Sequence, residues 1–387
     1  MEKWILPVLL LTLISPLEGR AGDAPDQKPG LTFPISYTGE GFGNLSGGYR
    51  QGAVYDAVLN VGIQGDLDKL VGWSGGSFLV SGLYPHGASL TEKYVHDFNG
   101  VSNIDTYDSL RLYEAWLEQE AGGFSVRAGQ LLADTEFCLS ENGANFINSA
   151  FGSIPLIARN FRAPVYPVAG PGVRVRWKAG ETFSVQAGLY DGDVGDPVGN
   201  PHGLDWSLNT RQGALALAEA AWTPWKDGGT YKLGAFYHTP AENDALLEKG
   251  RISNAGGYVI ADQPLWREPG SKDAGLNAFL RIGGAPAERS VVPFYGEAGL
   301  TRKGPFPGRE GDIAGIGFSF TRVSSALRDA AGEPPEAHHE AVLEATYKIK
   351  VSEWLTVQPD IQYLFNPGAA IHQDNALAVG LQFAFVF

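Results

Sequence analysis

Apolar and polar positions alternate with a period of two along most of this chain. In GAVYDAVLNVGIQGDL (52–67), Tyr55, Ala57, Leu59, Val61 and Ile63 share one face, with Asp56, Asn60, Gln64 and Asp66 on the other. In GVRVRWKAG, Val173, Val175 and Trp177 alternate with Arg174, Arg176 and Lys178. In WLTVQPDIQYLF, Leu355, Val357, Ile361 and Tyr363 alternate with Thr356, Gln358, Asp360 and Gln362. The chain ends NALAVGLQFAFVF, where Leu377, Val379, Leu381, Phe383, Phe385 and Phe387 form one apolar edge. Alternation over such lengths is the signature of strands with one apolar face. Sixteen segments carry it: 31–39, 52–67, 72–84, 108–121, 123–133, 171–179, 182–191, 212–224, 229–239, 255–262, 275–285, 290–303, 311–324, 340–352, 354–365 and 375–387. No helical period runs beyond about two turns.

The connections alternate in length. Short ones (LDKL, EAGG, KAGE, PWKDGG, VSEW) interleave with long ones at 85–107, 134–170, 192–211 and 240–254. Two places break the rhythm: 303–311 is long for a turn and 286–290 short for a loop. Tight turns on one rim and loops on the other, with an even strand count, predict an all-β transmembrane antiparallel barrel of about sixteen strands. A sheet in lipid has no water for its backbone and must close on itself. On this reading the apolar face of the last strand meets lipid, and Phe387 ends the chain as a recognition signal for the barrel insertion machinery. Trp73, Trp177, Trp222, Trp225 and Trp354 lie beside short turns, where an aromatic girdle would sit. A soluble β-sandwich is the competing fold, with shorter strands and an outward polar face.

The first 22 residues have the layout of an export signal: Lys3, an apolar run from Trp4 to Leu17, then small residues near Gly19, Ala21 and Gly22. Residues 23–387 then form one barrel domain. Glycine is abundant, at 51 of 387 residues, and Cys138 is the single cysteine, so no intramolecular disulfide can form. A net charge of −14 argues against nucleic-acid binding. Sixteen strands enclose an aqueous channel where eight would leave only packed side chains, so passage of solutes is the expected function.

Several phrases resemble the carbohydrate-selective outer-membrane porins of the OprB type: LYEAWLEQ (112–119), FSVRAGQLLADTEF (124–137), YPVAGPGVRVRWKAGETFSVQAGLYDGD (166–193), NPHGL (200–204), YKLGAFYHT (231–239), FYGEAGL (294–300) and TYKIKVSEWLTVQPDIQYLFNPG (346–368). They occur in order through most of the mature chain. The resemblance implies a sixteen-stranded barrel in the outer membrane of a Gram-negative cell, passing glucose-like monosaccharides by diffusion. Small sugars and outer-membrane lipid are the implied partners, and monomer and homo-oligomer both stay open. No cofactor, metal or catalysis is expected. The segment 240–275 matches only loosely, and Cys138 looks particular to this chain.

A sugar site wants fixed charged groups on opposing walls and an aromatic face. Residues of lumen parity supply Arg127, Arg174, Arg176, Arg281, Glu297 and Asp360. Arg111 and Glu114 flank Tyr113, and a bulge is needed for both to point inward. Asp191 and Asp193 open a long loop that also holds Trp206. The longest loop, 134–170, carries Phe146, Phe151, Ile154, Leu156, Ile157 and Phe161, too apolar for open water. It is expected to pack inside the barrel and narrow the pore, which brings in Arg159 and Arg162. For each of these residues the alternative role is an ion pair that stiffens the wall.

Three motifs carry little. Gly72-Trp73-Ser74-Gly75-Gly76 matches G-x-S-x-G but follows a tight turn and opens a strand. His338 and His339 fall in an apparent solvated loop. DGDVGD (191–196) lacks the spacing and later Glu of a calcium loop. A general porin, or a barrel enzyme acting on lipids through Ser74, remain the rival functions.

Overall fold

The computed structural model describes residues 30–195, 199–206, 208, 211–225, 228–241, 252–271, 273–324, 338–370 and 372–387. The proposed export signal lies outside them. Sixteen long strands run in chain order: β1 (Ile35–Gly48), β2 (Gly52–Asp66), β3 (Gly76–Gly87), β4 (Arg111–Ala121), β5 (Phe124–Leu131), β6 (Gly170–Ala179), β7 (Phe183–Asp191), β8 (Ala214–Trp222), β9 (Thr230–Ala241), β10 (Ile252–Arg267), β11 (Gly275–Gly284), β12 (Phe294–Lys303), β13 (Ile313–Arg322), β14 (His339–Lys350), β15 (Leu355–Phe365) and β16 (Asp374–Val386). Each pairs antiparallel with its sequence neighbours, and β16 pairs with β1 from Asp374↔Gly48 to Val386↔Ser36. The seam is sealed at the chain end: Phe387 N–H donates to Ile35 O at 2.8 Å. The two-residue strand Leu31–Thr32 continues the pairing with β2 beyond Pro34.

Parity behaves as lipid requires. Val61, Val126, Val175, Leu233, Val259, Leu300, Ile316, Leu343, Ile361 and Leu381 point outward and are exposed all round the barrel. In water a band this large would be an aggregation surface; in hydrocarbon it is the solvated face. Among the described residues no helix is long and apolar enough to cross a membrane, so the strands do the crossing. All five turn-side tryptophans are exposed near one rim. Trp354 stacks between Phe385 and Phe387, and Trp177 stacks on Phe124 at 6.0 Å.

Three boundaries differ from those expected. The first strand runs to Gly48 rather than ending at 39. Gly39, Gly41 and Gly43 stand at its outward positions, so no large residues mark the alternation there. Gly39 has a packing reason: a Cβ would sit 2.6 Å from Tyr55 Oη and 2.7 Å from Phe383 Cζ. The weak segment 255–262 is the core of the 16-residue β10, whose register slips at Pro264. Before β3, Asp66 caps a short helix, α1 (Leu67–Val71), which leads into the turn holding Ser74.

The lumen loop and the cavity beside it

After β5 the chain leaves the wall and does not return until Gly170. The intervening loop folds into the barrel, with two short 3-10 turns (Gly143–Asn145, Ser149–Phe151) and one four-residue helix, α2 (Pro155–Ala158). Its apolar residues Phe146, Phe151, Ile154, Leu156 and Ile157 are all buried. Phe146 and Phe151 stack at 4.7 Å and meet Phe279 of β11. Wall glycines make the room: a Cβ at Gly317 would lie 2.9 Å from both rings, and one at Gly283 would lie 2.4 Å from Leu156.

A loop inside a barrel must find partners for its backbone groups. The inward charges of the wall provide them. Arg281 donates to the carbonyls of Cys138 (2.7 Å), Ala150 (3.2 Å), Phe151 (2.9 Å) and Gly152 (3.0 Å), and pairs with Glu297 at 3.0 Å. Asp262 accepts from Ser140 Oγ and from the N–H groups of Glu141 and Asn142. Glu344 accepts from Ile147 and Asn148 N–H at 2.6 and 3.0 Å. A second loop, 88–110, is held the same way: Glu340 accepts from Phe98 and Asn99 N–H at 2.5 and 2.9 Å.

Across the lumen the loop carboxylate Glu136 meets three wall arginines. Arg127 reaches it at 2.6 Å, Arg174 at 3.2 Å, and Arg176 is also in contact. Glu118 of β4 completes the group, 2.6 Å from Arg127 and 2.7 Å from Arg174. Arg127 also lies over the Trp116 ring, 3.9 Å from its centroid.

What the two loops leave open is a cavity of about 550 Å³ against β1–β4 and β14–β16. Its polar lining includes Asn60, Glu92, Asp97, Asp105, Glu114, Asp134, Asn145, Arg159, Lys348 and Gln358. Its aromatic lining is Phe98, Tyr113, Phe146 and Tyr166, with Tyr113 and Tyr166 edge to face at 6.4 Å. Tyr166 Oη donates to Ile104 O at 2.6 Å, tying the two loops together. Arg159 sits over the Phe98 ring at 5.3 Å and donates to Asn99 O at 2.8 Å.

Of the twelve residues selected from sequence, Glu114 and Arg159 line this cavity. Arg111 and Glu114 both point inward and are buried, because β4 bulges: Tyr113 and Glu114, between Leu112 and Ala115, stand opposite the single residue Ser81 of β3. Arg111 is fixed to Ser109 Oγ and to the carbonyls of Pro167 and Pro201. Arg127, Arg174 and Arg176 lie in the Glu118–Glu136 cluster, and Arg281 with Glu297 lies beneath the loop. Asp360 is buried and accepts from Gln362. Arg162 pairs with Asp193 at 3.6 Å, and Asp191 accepts from Asp193 N–H. Trp206 donates to Gln130 Oε1 at 2.8 Å at the β4–β5 rim. Asp97, Asp105, Asp134, Tyr166 and Lys348 belong to the lining but have no alternation to mark them as pore residues, Lys348 excepted. The density of acids and aromatics in EKYVHDFNGVSNIDTYD (92–108) was the available signal.

The family signature "Carbohydrate-selective porin, OprB family" matches residues 50–387. The chain belongs to the carbohydrate-selective OprB porins. Among curated relatives, Porin B of Pseudomonas aeruginosa is 27% identical over 92% of this chain and 88% of its own length. The putative porin QuiX of Acinetobacter baylyi is 25% identical over 93% of this chain and 90% of its own. The high-pH structure of Pseudomonas putida OprB superposes with a TM-score of 0.81 at 27% identity, covering 92% of this chain and 94% of that one. This OprB-family porin is therefore a carbohydrate-selective channel of the outer membrane.

Proposed function

We propose that this channel passes small neutral sugars, of monosaccharide size, by diffusion down their gradient, and that the cavity beside the lumen loop is the step that selects them. The observation that supports this reading is the pairing of an aromatic shelf, Tyr113 and Tyr166, with fixed polar groups, Glu114, Asp134 and Arg159, in one cavity. Its size is in the range of small-molecule sites. Sugar hydroxyls both donate and accept, so carboxylate and guanidinium on neighbouring surfaces suit them, while the rings take the apolar face of the sugar. The remaining arginines act through the loop: Arg127, Arg174, Arg176 and Arg281 hold it where it narrows the pore. On this reading no catalysis or energy coupling occurs, residues 1–22 act as the export signal, and Phe387 serves barrel insertion.

Single-channel current in a planar bilayer, titrated with glucose, sucrose and arginine, tests the reading. Concentration-dependent block by glucose and little by arginine is expected. Tyr113→Ala should raise the half-blocking glucose concentration about two- to twelve-fold, the equivalent of about 0.5–1.5 kcal/mol of ring contact. Current indifferent to all three solutes would instead make the chain a general porin.

A further inference from the structure

We propose that the cavity holds a second solute-binding step, centred on Lys348 at its short-turn end, and that this step takes a sugar bearing a carboxylate, a uronate. The inference rests on the reading of the same cavity as the sugar path.

The cavity runs from the loop side, where Glu92 lines it, toward the short-turn side, where Lys348 lies two residues before the end of β14. The two ends differ in chemistry. The aromatic lining comes from the two loops and the start of β4. The short-turn end is lined by the wall itself: Lys348 of β14, Thr356 and Gln358 of β15, and Gln382 of β16. Strand register gathers these into one patch. The pairs Thr346↔Asp360 and Ile349↔Val357 set Lys348 beside Gln358, and Gln358 pairs with Gln382. Lys348 and Gln382 are therefore two strand spacings apart, about 10 Å, and Thr356 is the next inward residue toward the turn.

The patch is marked by polar groups without partners. Elsewhere on β14 and β15 the inward groups are used to hold the loops. Glu344 accepts from Ile147 and Asn148 N–H, Gln358 donates to Asn145 O, and Gln362 donates to Val101 O. Lys348 is half-buried, and among the described residues its ammonium has no hydrogen bond, no ion pair and no charged side chain acting on it. The Thr356 hydroxyl has no partner among them either. Gln382 donates through Nε2 to Glu40 at 2.7 Å, which leaves its Oε1 as an unused acceptor. None of these three groups is sealed from the cavity. A cation held partly out of water without a partner costs stability, and no loop contact at this position offsets the cost. One kind of ligand satisfies all three. The ammonium donates to a carboxylate, while the hydroxyl and the amide oxygen meet sugar hydroxyls, which both donate and accept. A single cation suits a monoanion. The lysine stem is flexible and its head strongly hydrated, so the step stays weak enough for solute to leave.

The magnitude follows from Coulomb's law. In water, an opposite charge about 4 Å from the ammonium raises occupancy about five-fold. Salt should shrink the effect, because the Debye length falls to about 8 Å at physiological strength.

The test uses the full-length barrel, its folding checked by heat-modifiable migration. Single-channel current at pH 7 in dilute KCl is titrated with glucose, glucuronate and acetate. Glucuronate keeps the glucose ring and adds the carboxylate; acetate has the carboxylate without the ring. The half-blocking concentration of glucuronate should lie about five-fold below that of glucose, with acetate much weaker than either. Lys348→Gln should bring the glucuronate-to-glucose ratio to about one, and Lys348→Arg should keep the advantage. Because Lys348 has no partner to lose, its replacement should not lower the heat-modification midpoint. Thr356→Val is the second variant and should weaken glucuronate block about two-fold or more. Glucuronate that blocks no better than glucose, or an advantage that survives Lys348→Gln, overturns the proposal and leaves the sugar reading intact. Acetate as effective as glucuronate overturns it too, since charge alone would then suffice. A folded barrel blocked by neither sugar overturns the sugar reading and this proposal with it.

Discussion

Arg281 is the group whose loss should do most to the pore without touching solute. Its guanidinium holds four loop carbonyls, those of Cys138, Ala150, Phe151 and Gly152, and pairs with Glu297, all away from water. Arg281→Met removes the cation and leaves Glu297 buried and unpaired, which costs about 3–5 kcal/mol. Each orphaned carbonyl that stays dry adds about 1–3 kcal/mol. Water enters as the loop lifts and Tyr295 still donates to Ala150 O at 2.6 Å, so the lower end, about 4 kcal/mol, is the working figure. That shifts the docking equilibrium of the loop by about three orders of magnitude at 1.4 kcal/mol per tenfold. The expected phenotype is a larger, noisier single-channel current, weaker glucose block and new protease cleavage within 134–170. The pairing logic supplies the control. Adding Glu297→Gln removes the stranded charge, so Arg281→Met with Glu297→Gln should recover part of the loss. Wild-type conductance and protease resistance in Arg281→Met would refute the idea that this residue clamps the loop. A double variant as damaged as the single one would refute the charge argument.

Glu136→Gln leaves Arg127, Arg174 and Arg176 with Glu118 as their one carboxylate among the contacts described; the barrel should lose stability by about 3–5 kcal/mol, read as an earlier heat-modification midpoint, and chloride permeability should rise. Burial lifts Asp105 from the usual 3.8 to about 6, with Glu92 and Asp97 pushing the same way and the Ser89 hydroxyl opposing. Glu40, Asp56 and Tyr166 also lie within its field. The raised value means that the folded state takes up a proton between about pH 6 and 4 that the unfolded chain does not. Acidification through 6 therefore removes a destabilising charge; heat-modification midpoints measured between pH 7.5 and 5 should rise and check this. Burial pushes the Cys138 thiol well above its ordinary range, and the residue is buried within the lumen loop; maleimide should label it only after denaturation.

The sequence by itself determined the architecture, because lipid makes its demand locally. Each strand must show alternation within about ten residues, so Tyr55 to Ile63, Val173 to Trp177 and Leu377 to Phe387 announce their outward faces without reference to anything distant. The turn–loop rhythm followed from the same segments, and the apolar content of loop 134–170 pointed it away from open water, into the barrel or against a neighbouring protomer. Where the signal failed, as in β1, glycine occupied the outward positions because Tyr55 and Phe383 fill the space. Only the tertiary structure decided which lumen charges face solute. Parity says that Arg174 and Arg281 point inward; it does not say that a loop lies between them and water. Their partners are far along the chain: Glu136 for the first, and the carbonyls at 138–152 for the second. Contacts closed over such separations leave no periodic trace. The acidic lining assembled from Glu92, Asp97, Asp105, Glu114 and Asp134 has the same origin, since it exists only where two loops and one bulged strand meet.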